Sequence, residues 1–325
     1  MKSILEDIKT QNFKQAYLLY GEEAYLKQQY KNRLKNAVLP EGDTINLSIY
    51  SGKGIDVKEM IAQADTMPFF AEHRLLLIED SGFFKNANQQ LAEYIPSIPE
   101  ETIMLFVESE VDKRGKLYKA VSKKGSVVEF TAQNEQTLTR WILGILKTEG
   151  KMITSGAMKQ FLEKTGTDME RIRQELEKLI CYCMEKESIT EEDVAVICSE
   201  QTENKIFDMI NAMAEKKQKK AMELYYDLLA LKEPPMRILY LITRQFNLLM
   251  QVKELSEEGY SAKTISERLK MAGFIVRNCL RQAEYFSLKT LKEALQDCVR
   301  MEEAVKTGRM NDVMSVELLL VKYSS

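Results

Sequence analysis

The sequence has little of what most enzyme sites require. It contains one histidine, His73, and one tryptophan among its 325 residues. A catalytic triad or a histidine-rich metal site would have to use His73, and no persuasive nucleophile lies near it in the sequence. We interpret His73 as a histidine at a strand edge, and we expect neither catalytic residues nor a metal site.

The five cysteines do not form a recognisable framework. Their number is odd, and Cys181 and Cys183 have no second Cys or His pair at zinc-finger spacing. Free thiols indicate a reducing compartment. No apolar run is long enough to span a bilayer, and the first residues lack the apolar core of a signal peptide. We therefore expect a cytoplasmic protein that has no membrane partner.

Neither sign of charge dominates the chain. The 46 lysines and arginines against 49 aspartates and glutamates leave a net charge of −3, which argues against an autonomous, strongly basic nucleic-acid binder. This net charge still allows a local group of basic residues to contact nucleic acid within an assembly. The basic segments lie at residues 113–114, 123–124 and 216–220. For each segment, our first interpretation is a helix face exposed to solvent, and the alternative is a contact with nucleic-acid phosphates.

The first 140 residues alternate predicted strands and helices. The predicted strands are residues 16–20, 46–50, 75–78, 102–107 and 127–130. The helices predicted between them are residues 22–37, 57–67, 89–95 and 116–122. Continuous apolar strands that alternate with helices indicate a parallel sheet covered on both faces. After residue 130 no further strand pattern occurs, and the remaining sequence predicts helices. The predicted fold class is therefore α/β followed by all-α.

The first strand ends where a phosphate-binding loop would lie in an α/β domain. Such a loop needs the pattern G-x-x-x-x-G-K-[ST], whereas this chain has Gly21 followed by Glu22 and Glu23. The acidic pair Glu79-Asp80 loosely resembles the metal-holding strand end of an NTPase. A degenerate NTPase with a site around Gly21 and this pair therefore stays open as an alternative.

The segment Met67-Pro68-Phe69-Phe70 joins the second predicted helix to the third predicted strand. Periodicity alone favours both phenylalanine rings in the core beneath the strand, because most phenylalanines are buried. The alternative is an apolar plug that is exposed for a partner at a junction between elements.

Six stretches together resemble the delta subunit of the bacterial DNA polymerase III clamp loader. They are YLLYGEE at 17–23, MPFFAEHR at 67–74, RIRQELEKL at 171–179, ITEEDV at 189–194, NKIFD at 204–208 and KTGR at 306–309. Each motif is moderately specific, and their order and spacing make the resemblance stronger. It runs over essentially the whole chain. The missing phosphate loop agrees with it, since this family is similar to AAA+ ATPases but does not itself bind ATP.

The resemblance implies three domains. These are an AAA+-like (RecA-type) parallel-sheet domain without a phosphate loop at 1–140, a small helical lid at 141–203 and a helical collar at 204–325. It implies a DNA replication protein without cofactor or catalysis of its own, a subunit of a nucleotidyltransferase holoenzyme. Its implied partners are the sliding clamp, the ATPase tau/gamma subunits and delta prime in a ring of five, and primer-template DNA. ATP would sit on the neighbouring subunits.

The resemblance also assigns the clamp-binding residues. Two hydrophobic residues of the family enter a pocket on the clamp, and they fall here on Phe69 and Phe70, with Met67 and Pro68 adjacent. The family often has a smaller or aliphatic residue at one of these positions. The implied function is to bind and open the clamp so that it can be loaded on primed DNA. A degenerate NTPase and a helical adaptor unrelated to replication, with both rings in the core, are the alternatives.

Overall fold

A computed structural model describes residues 1–86, 88–198 and 202–324 of the chain. Its internal contacts divide the protein into two compact units, Met1–Gln133 and the residues from Asn134 onward. The three-domain division with boundaries at 140 and 203 stays a prediction.

The first unit is built on a five-stranded sheet. Its strands are β1 Ala16–Tyr20, β2 Leu47–Ser51, β3 Arg74–Glu79, β4 Thr102–Glu108 and β5 Ser126–Glu129. They lie in the order β2-β3-β4-β1-β5, and each neighbouring pair is parallel. The parallel sheet predicted from the apolar strands is therefore confirmed, and each predicted strand is present within one or two residues.

Helices cover both faces of this sheet. They are α1 Lys2–Thr10, α2 Ala24–Val38, α3 Val57–Ala64, α4 Gln89–Tyr94 and α5 Lys116–Lys124, with a 3-10 turn at Ile95–Ser97. Along β3, Leu76 and Ile78 pack into one core, and Leu75 and Leu77 pack into the other. This alternation explains why the strand is apolar at successive positions.

Helix α3 ends earlier than the sequence predicted. The predicted helix ran to Met67, whereas α3 stops at Ala64 and Asp65 is its C-cap. Proline disfavours helical backbone at the residue before it, so Pro68 accounts for Met67 lying outside the helix. The residues between Asp65 and β3 consequently form a loop at the edge where the strands begin.

The second unit is almost entirely helical. Its helices are α6 Glu135–Thr148, α7 Ser155–Thr165, α8 Met169–Tyr182, α9 Glu191–Ile197, α10 Thr202–Ala214, α11 Gln218–Ala230, α12 Pro235–Glu257, α13 Ala262–Leu269, α14 Gly273–Ala283, α15 Leu288–Lys306 and α16 Asp312–Ser324. The predicted N-caps Asp168 and Ser287 accept backbone hydrogen bonds from Arg171 and Thr290, as expected for helix starts.

One prediction for this unit was wrong. Two short strands, β6 Met152–Ile153 and β7 Ser188–Ile189, pair in parallel after the point where the strand signal ended. Each has two residues, which is too short to produce an alternating pattern in the sequence. In the described part of the chain, no helix combines the length and apolar character needed to cross a membrane.

Candidate functional site

The loop between α3 and β3 presents large apolar side chains to solvent. We call Met67-Pro68-Phe69-Phe70 the plug. Met67 is 72% exposed, Phe69 is 57% exposed and Phe70 is 95% exposed, while Pro68 is half-buried. The two phenylalanine rings meet edge to face with their centroids 4.6 Å apart. The interpretation that both rings lie in the core is therefore wrong, because the helix ends before the rings can turn inward.

A buried asparagine holds the backbone of the plug. Asn46 immediately precedes β2, and its side-chain Oδ1 accepts a hydrogen bond from the Phe69 N–H at 2.7 Å. Its Nδ2 donates to the Phe69 carbonyl at 3.0 Å and to Asp43 Oδ2 at 2.8 Å. Both backbone groups of Phe69 are thereby satisfied by one side chain, while the ring of Phe69 points away into solvent.

Two further side chains bond to carbonyls at the end of α3 and in the loop that follows it. Arg74, the buried first residue of β3, donates from Nε to the Thr66 carbonyl at 3.1 Å and from Nη2 to the Met67 carbonyl at 3.3 Å. Thr102, the first residue of β4, donates from Oγ1 to the Ala64 carbonyl at 2.7 Å. The Ala64 carbonyl is one that the end of α3 leaves without a helical partner, and the other two carbonyls follow the helix. The amino ends of three neighbouring strands therefore fix the loop.

Phe70 adopts a left-handed backbone conformation with φ of +51°. For a non-glycine residue this conformation costs on the order of 1–2 kcal/mol, and it is unusual for a bulky aromatic side chain. Strain of this kind persists only where surrounding contacts enforce it, and it concentrates at functional sites. The bonds to the main chain of Thr66, Met67 and Phe69 hold the residues that immediately precede Phe70.

His73 has a packing role beside the plug. Its ring lies edge-on against Phe13, with the ring centroids 5.6 Å apart. The residue is half-buried immediately before β3. In the described residues, no group of three or more His, Cys, Asp or Glu side chains could hold a metal ion.

The opposite edge of the sheet, where the strands end, is closed around its own polar groups. Gly21 has φ of +117°, and a Cβ there would lie 2.3 Å from the Phe130 carbonyl oxygen. The Glu23 side chain accepts a hydrogen bond from the Tyr25 N–H and so caps α2. In a phosphate-binding fold, the first amides of this helix would face the phosphates. Here a carboxylate occupies that end of the helix.

Lysines of α2 neutralise the acidic strand end. Lys31 Nζ forms an ion pair with Glu79 Oε1 at 2.8 Å, and Lys27 Nζ donates to the Glu108 carbonyl at 3.1 Å. The Asp80 side chain accepts a hydrogen bond from Ser109 Oγ at 3.1 Å. The position of Glu79-Asp80 loosely resembles a metal-holding strand end, but both carboxylates are bonded to side chains of this chain.

The Glu108 side chain anchors the loop that follows β3. It accepts hydrogen bonds from the Ser81 N–H at 3.1 Å, the Gly82 N–H at 3.3 Å and the Ser81 hydroxyl. Burial raises the pKa of Glu108 above its usual value, although these hydrogen bonds act in the opposite direction.

The predicted basic segments differ in how far they are paired. Lys113 forms an ion pair with Glu129 at 2.8 Å, and Arg114 pairs with Asp112 at 3.0 Å. The next lysines on α5 that are exposed are Lys116, Lys119 and Lys123. Their spacing of three and four residues places them on one face of the helix. In the run 216–220, Lys217 pairs with Glu215 at 2.6 Å and Lys219 lies 3.9 Å from Glu223.

Comparison with known proteins matches residues 17–131 to the family described as "DNA polymerase III, delta subunit", and residues 203–323 to "DNA polymerase III delta subunit, C-terminal domain". DNA polymerase III subunit delta of Bacillus subtilis is 30% identical over 318 residues, which cover 94% of this chain and 92% of that protein. Probable DNA polymerase III subunit delta of Aquifex aeolicus is 22% identical over 256 residues, which cover 75% and 72% of the two chains.

A solved structure shows the same similarity in three dimensions. The DNA clamp loader delta protein of Bacillus subtilis superposes with a TM-score of 0.69 at 29% sequence identity, and the match covers 99% of both chains. This agreement confirms the predicted fold class, an AAA+-like parallel-sheet domain followed by helices.

Proposed function

Because the chain belongs to the family of DNA polymerase III delta subunits, we propose that it binds the sliding clamp of its replication machinery through the plug. Similarity to a clamp loader delta protein supports a role in clamp loading and argues against an adaptor unrelated to replication. The observation that carries the proposal is the exposure of two adjacent aromatic rings on a backbone that buried side chains hold in place.

The plug has the features of a binding hot spot. Phe69 and Phe70 are large aromatic side chains, and such side chains dominate interface energies when they enter a pocket. Burying one phenylalanine side chain contributes about 1.5–3 kcal/mol. The two rings together therefore supply a contribution on the order of 3–6 kcal/mol before the costs of association.

Clamp opening would follow from differential binding. A protein shifts a closed clamp toward an open one only if it binds the open form more tightly. In our proposal, the rings occupy an apolar pocket near one clamp interface and hold that interface in its open form. The neighbouring tau/gamma ATPase subunits and delta prime would complete a five-membered ring and control when the plug is presented.

We propose further that this chain is non-catalytic and leaves ATP to those neighbours. The closed carboxyl edge supports the proposal, since Glu23 caps α2 and Lys31 pairs with Glu79. A triphosphate at this edge would face carboxylates instead of free amides. Calorimetric titration with millimolar ATP and Mg²⁺ tests the point: we expect no binding heat, and saturable binding would restore the degenerate NTPase.

The exposed lysine face of α5 supports a second contact, with primer-template DNA. Lys116, Lys119 and Lys123 stand on one helix face, and residues 113–124 contain no acidic side chain. Lysines in this arrangement suit phosphate contacts, which position nucleic acid without reading its sequence. Because the net charge of the chain is −3, we propose this contact only within the assembly.

The experiment that tests clamp binding compares the wild-type chain with a Phe69→Ala/Phe70→Ala variant. We expect the variant to bind the sliding clamp from the same genome at least about 30-fold more weakly, a loss of about 2 kcal/mol. The melting temperature should stay close to that of the wild type, since both rings are exposed.

Tyr240→Ala is a matched control, because it removes another exposed aromatic ring, 64% exposed, from α12. We expect it to keep full affinity for the clamp. Equal losses for both variants, or a wild-type chain that does not bind the clamp, would overturn the proposal.

A further inference from the structure

The backbone of the plug is hydrogen-bonded by Asn46, a residue outside the plug. We propose that Asn46 is a positioning residue for clamp binding, which fixes the plug in its binding conformation before the clamp arrives. This inference rests on the proposed function of the plug. It adds a residue 23 positions away along the chain that touches no partner but sets where the two rings stand.

The geometry requires the chemistry of an asparagine amide. One side chain accepts from the Phe69 N–H at 2.7 Å and donates to the Phe69 carbonyl at 3.0 Å. The asparagine amide makes the two bonds from separate atoms, whereas a serine or threonine hydroxyl would have to make both from one oxygen. Asparagine is also a poor residue for a strand, so its position beside β2 is not explained by strand preference. Asn46 is 2% exposed, so that its bonds to Phe69 are shielded from water.

Asn46 is itself anchored on two sides. Asp43 Oδ1 accepts hydrogen bonds from the Ile45 N–H and the Asn46 N–H, both at 3.0 Å, and Asp43 Oδ2 accepts from Asn46 Nδ2 at 2.8 Å. The Asn46 carbonyl accepts from the Leu75 N–H at 2.9 Å, next to the first residue of β3. The residue that positions Phe69 is therefore tied to the backbone pairing of β2 with β3.

This anchoring has a consequence for affinity. A loop that must order itself during association loses conformational entropy, and that loss weakens binding. A free loop would rarely place Phe70 in the left-handed conformation, because it is disfavoured for an aromatic residue. Arg74 holds the carbonyls of Thr66 and Met67. Only Asn46, among the described side chains, is bonded to both backbone groups of a ring-bearing residue of the plug.

The test is a double-mutant cycle measured as clamp affinity. We expect Asn46→Ala to weaken clamp binding by roughly 5- to 20-fold although it removes no contact residue. In the Phe69→Ala/Phe70→Ala background, the same substitution should change the residual affinity by less than about twofold, because its effect acts through the rings. Asn88→Ala is the matched control: it removes an asparagine that caps α4 by accepting from the Leu91 N–H, and it should leave affinity unchanged.

A second measurement does not depend on the folding of any variant. In the free wild-type chain, the Phe69 amide hydrogen should exchange with solvent much more slowly than an unprotected amide, despite the exposed ring. An unprotected Phe69 amide would overturn the inference. So would wild-type affinity in Asn46→Ala, or equal losses from Asn46→Ala with and without the rings.

The outcomes separate this inference from the function on which it rests. If the wild-type chain does not bind the clamp, or if removal of both rings has no effect, the proposed function fails. If the rings are required and Asn46→Ala binds as tightly as the wild type, only the positioning role fails.

Discussion

The two edges of the five-stranded sheet put similar polar side chains to different uses. At the amino edge, Asn46 and Arg74 bond to main-chain groups of the loop after α3, and Thr102 bonds to the last carbonyl of α3. The apolar rings of that loop are exposed to solvent. At the carboxyl edge, Lys31 pairs with Glu79 and the Glu108 carboxylate bonds to the loop after β3. One edge is built to present a surface, whereas the other satisfies its polar groups internally.

The difference shows how a fold that usually binds nucleotides can instead present a surface for another protein. Ligands of open parallel sheets usually lie beyond the carboxyl ends of the strands. Here that edge holds its own ion pairs and caps, and the candidate site lies at the amino edge. An exposed aromatic ring adds little to the stability of the free chain, so the polar framework beneath it has to maintain its position.

The largest predicted effect contrasts a buried ring with an exposed one. Phe106→Ala removes a fully buried side chain of β4 and should lower the free energy of unfolding by about 3–5 kcal/mol. Phe70→Ala removes a ring that is 95% exposed and should change it by less than about 0.5 kcal/mol. Urea denaturation measures both. A loss of several kcal/mol from Phe70→Ala would show that this ring contributes to the core.

The carboxyl edge is expected to reject even one added methyl group. Gly21→Ala should destabilise the protein by about 2 kcal/mol or more, because its Cβ would overlap the Phe130 carbonyl oxygen and its φ is positive. Gly52→Ala is the control: its φ is +77° but no atom lies within 4 Å of an added Cβ. We expect it to cost only about 1 kcal/mol in the same denaturation experiment. Equal costs would indicate that this edge has room for a side chain.

The strain in the plug can be measured with a second substitution at Phe70. Phe70→Gly and Phe70→Ala both remove the ring, but glycine adopts a φ of +51° without steric cost. We expect the glycine variant to be more stable than the alanine variant by up to about 1 kcal/mol, less the entropy that glycine adds to the unfolded chain. If the alanine variant is clearly the more stable, the left-handed conformation is not strained.

The smallest expected effect is a difference in pH dependence between the edges. Burial raises the pKa of Glu108, so the folded state binds its proton more tightly than the unfolded state. This residue should therefore make stability fall as pH rises above its usual pKa of 4.5. Glu108→Gln should remove that decline in melting curves recorded from pH 4 to 8.

Asp43, at the amino edge, should act in the opposite direction. The hydrogen bond from the Asn46 side chain lowers the pKa of Asp43 below its usual value of 3.8. Asp43 therefore stabilises the folded state above pH 3.8, and this stabilisation is lost as pH falls through the lowered pKa. Asp43→Asn should consequently reduce the melting temperature at neutral pH and have less effect at the acid end. The same sign of pH dependence at both residues would contradict the contrast between the edges.

Several features of the fold could be predicted because their signals are local. Apolar runs such as residues 102–107 predict buried strands, and Asp168 and Ser287 predict helix starts through hydrogen bonds that span three residues. The end of α3 and the two-residue strands β6 and β7 were missed. Strands β6 and β7 form only through pairing between segments that are far apart in the chain, which no local pattern records. The end of α3 differs, since Pro68 disfavours helical backbone at Met67.

The amino-acid sequence was enough to establish the alternation of strands and helices, the absence of a phosphate-binding loop and the resemblance that points to Phe69 and Phe70. The exposure of these rings had to be read from the folded structure, because hydrophobicity alone favours burial for both. It also revealed Asn46, which is 23 residues from Phe69 along the chain and becomes its neighbour when β2 and β3 pair. Hydrogen bonds between distant segments form only after the strands are aligned, and for that reason the framework of the plug belongs to the fold.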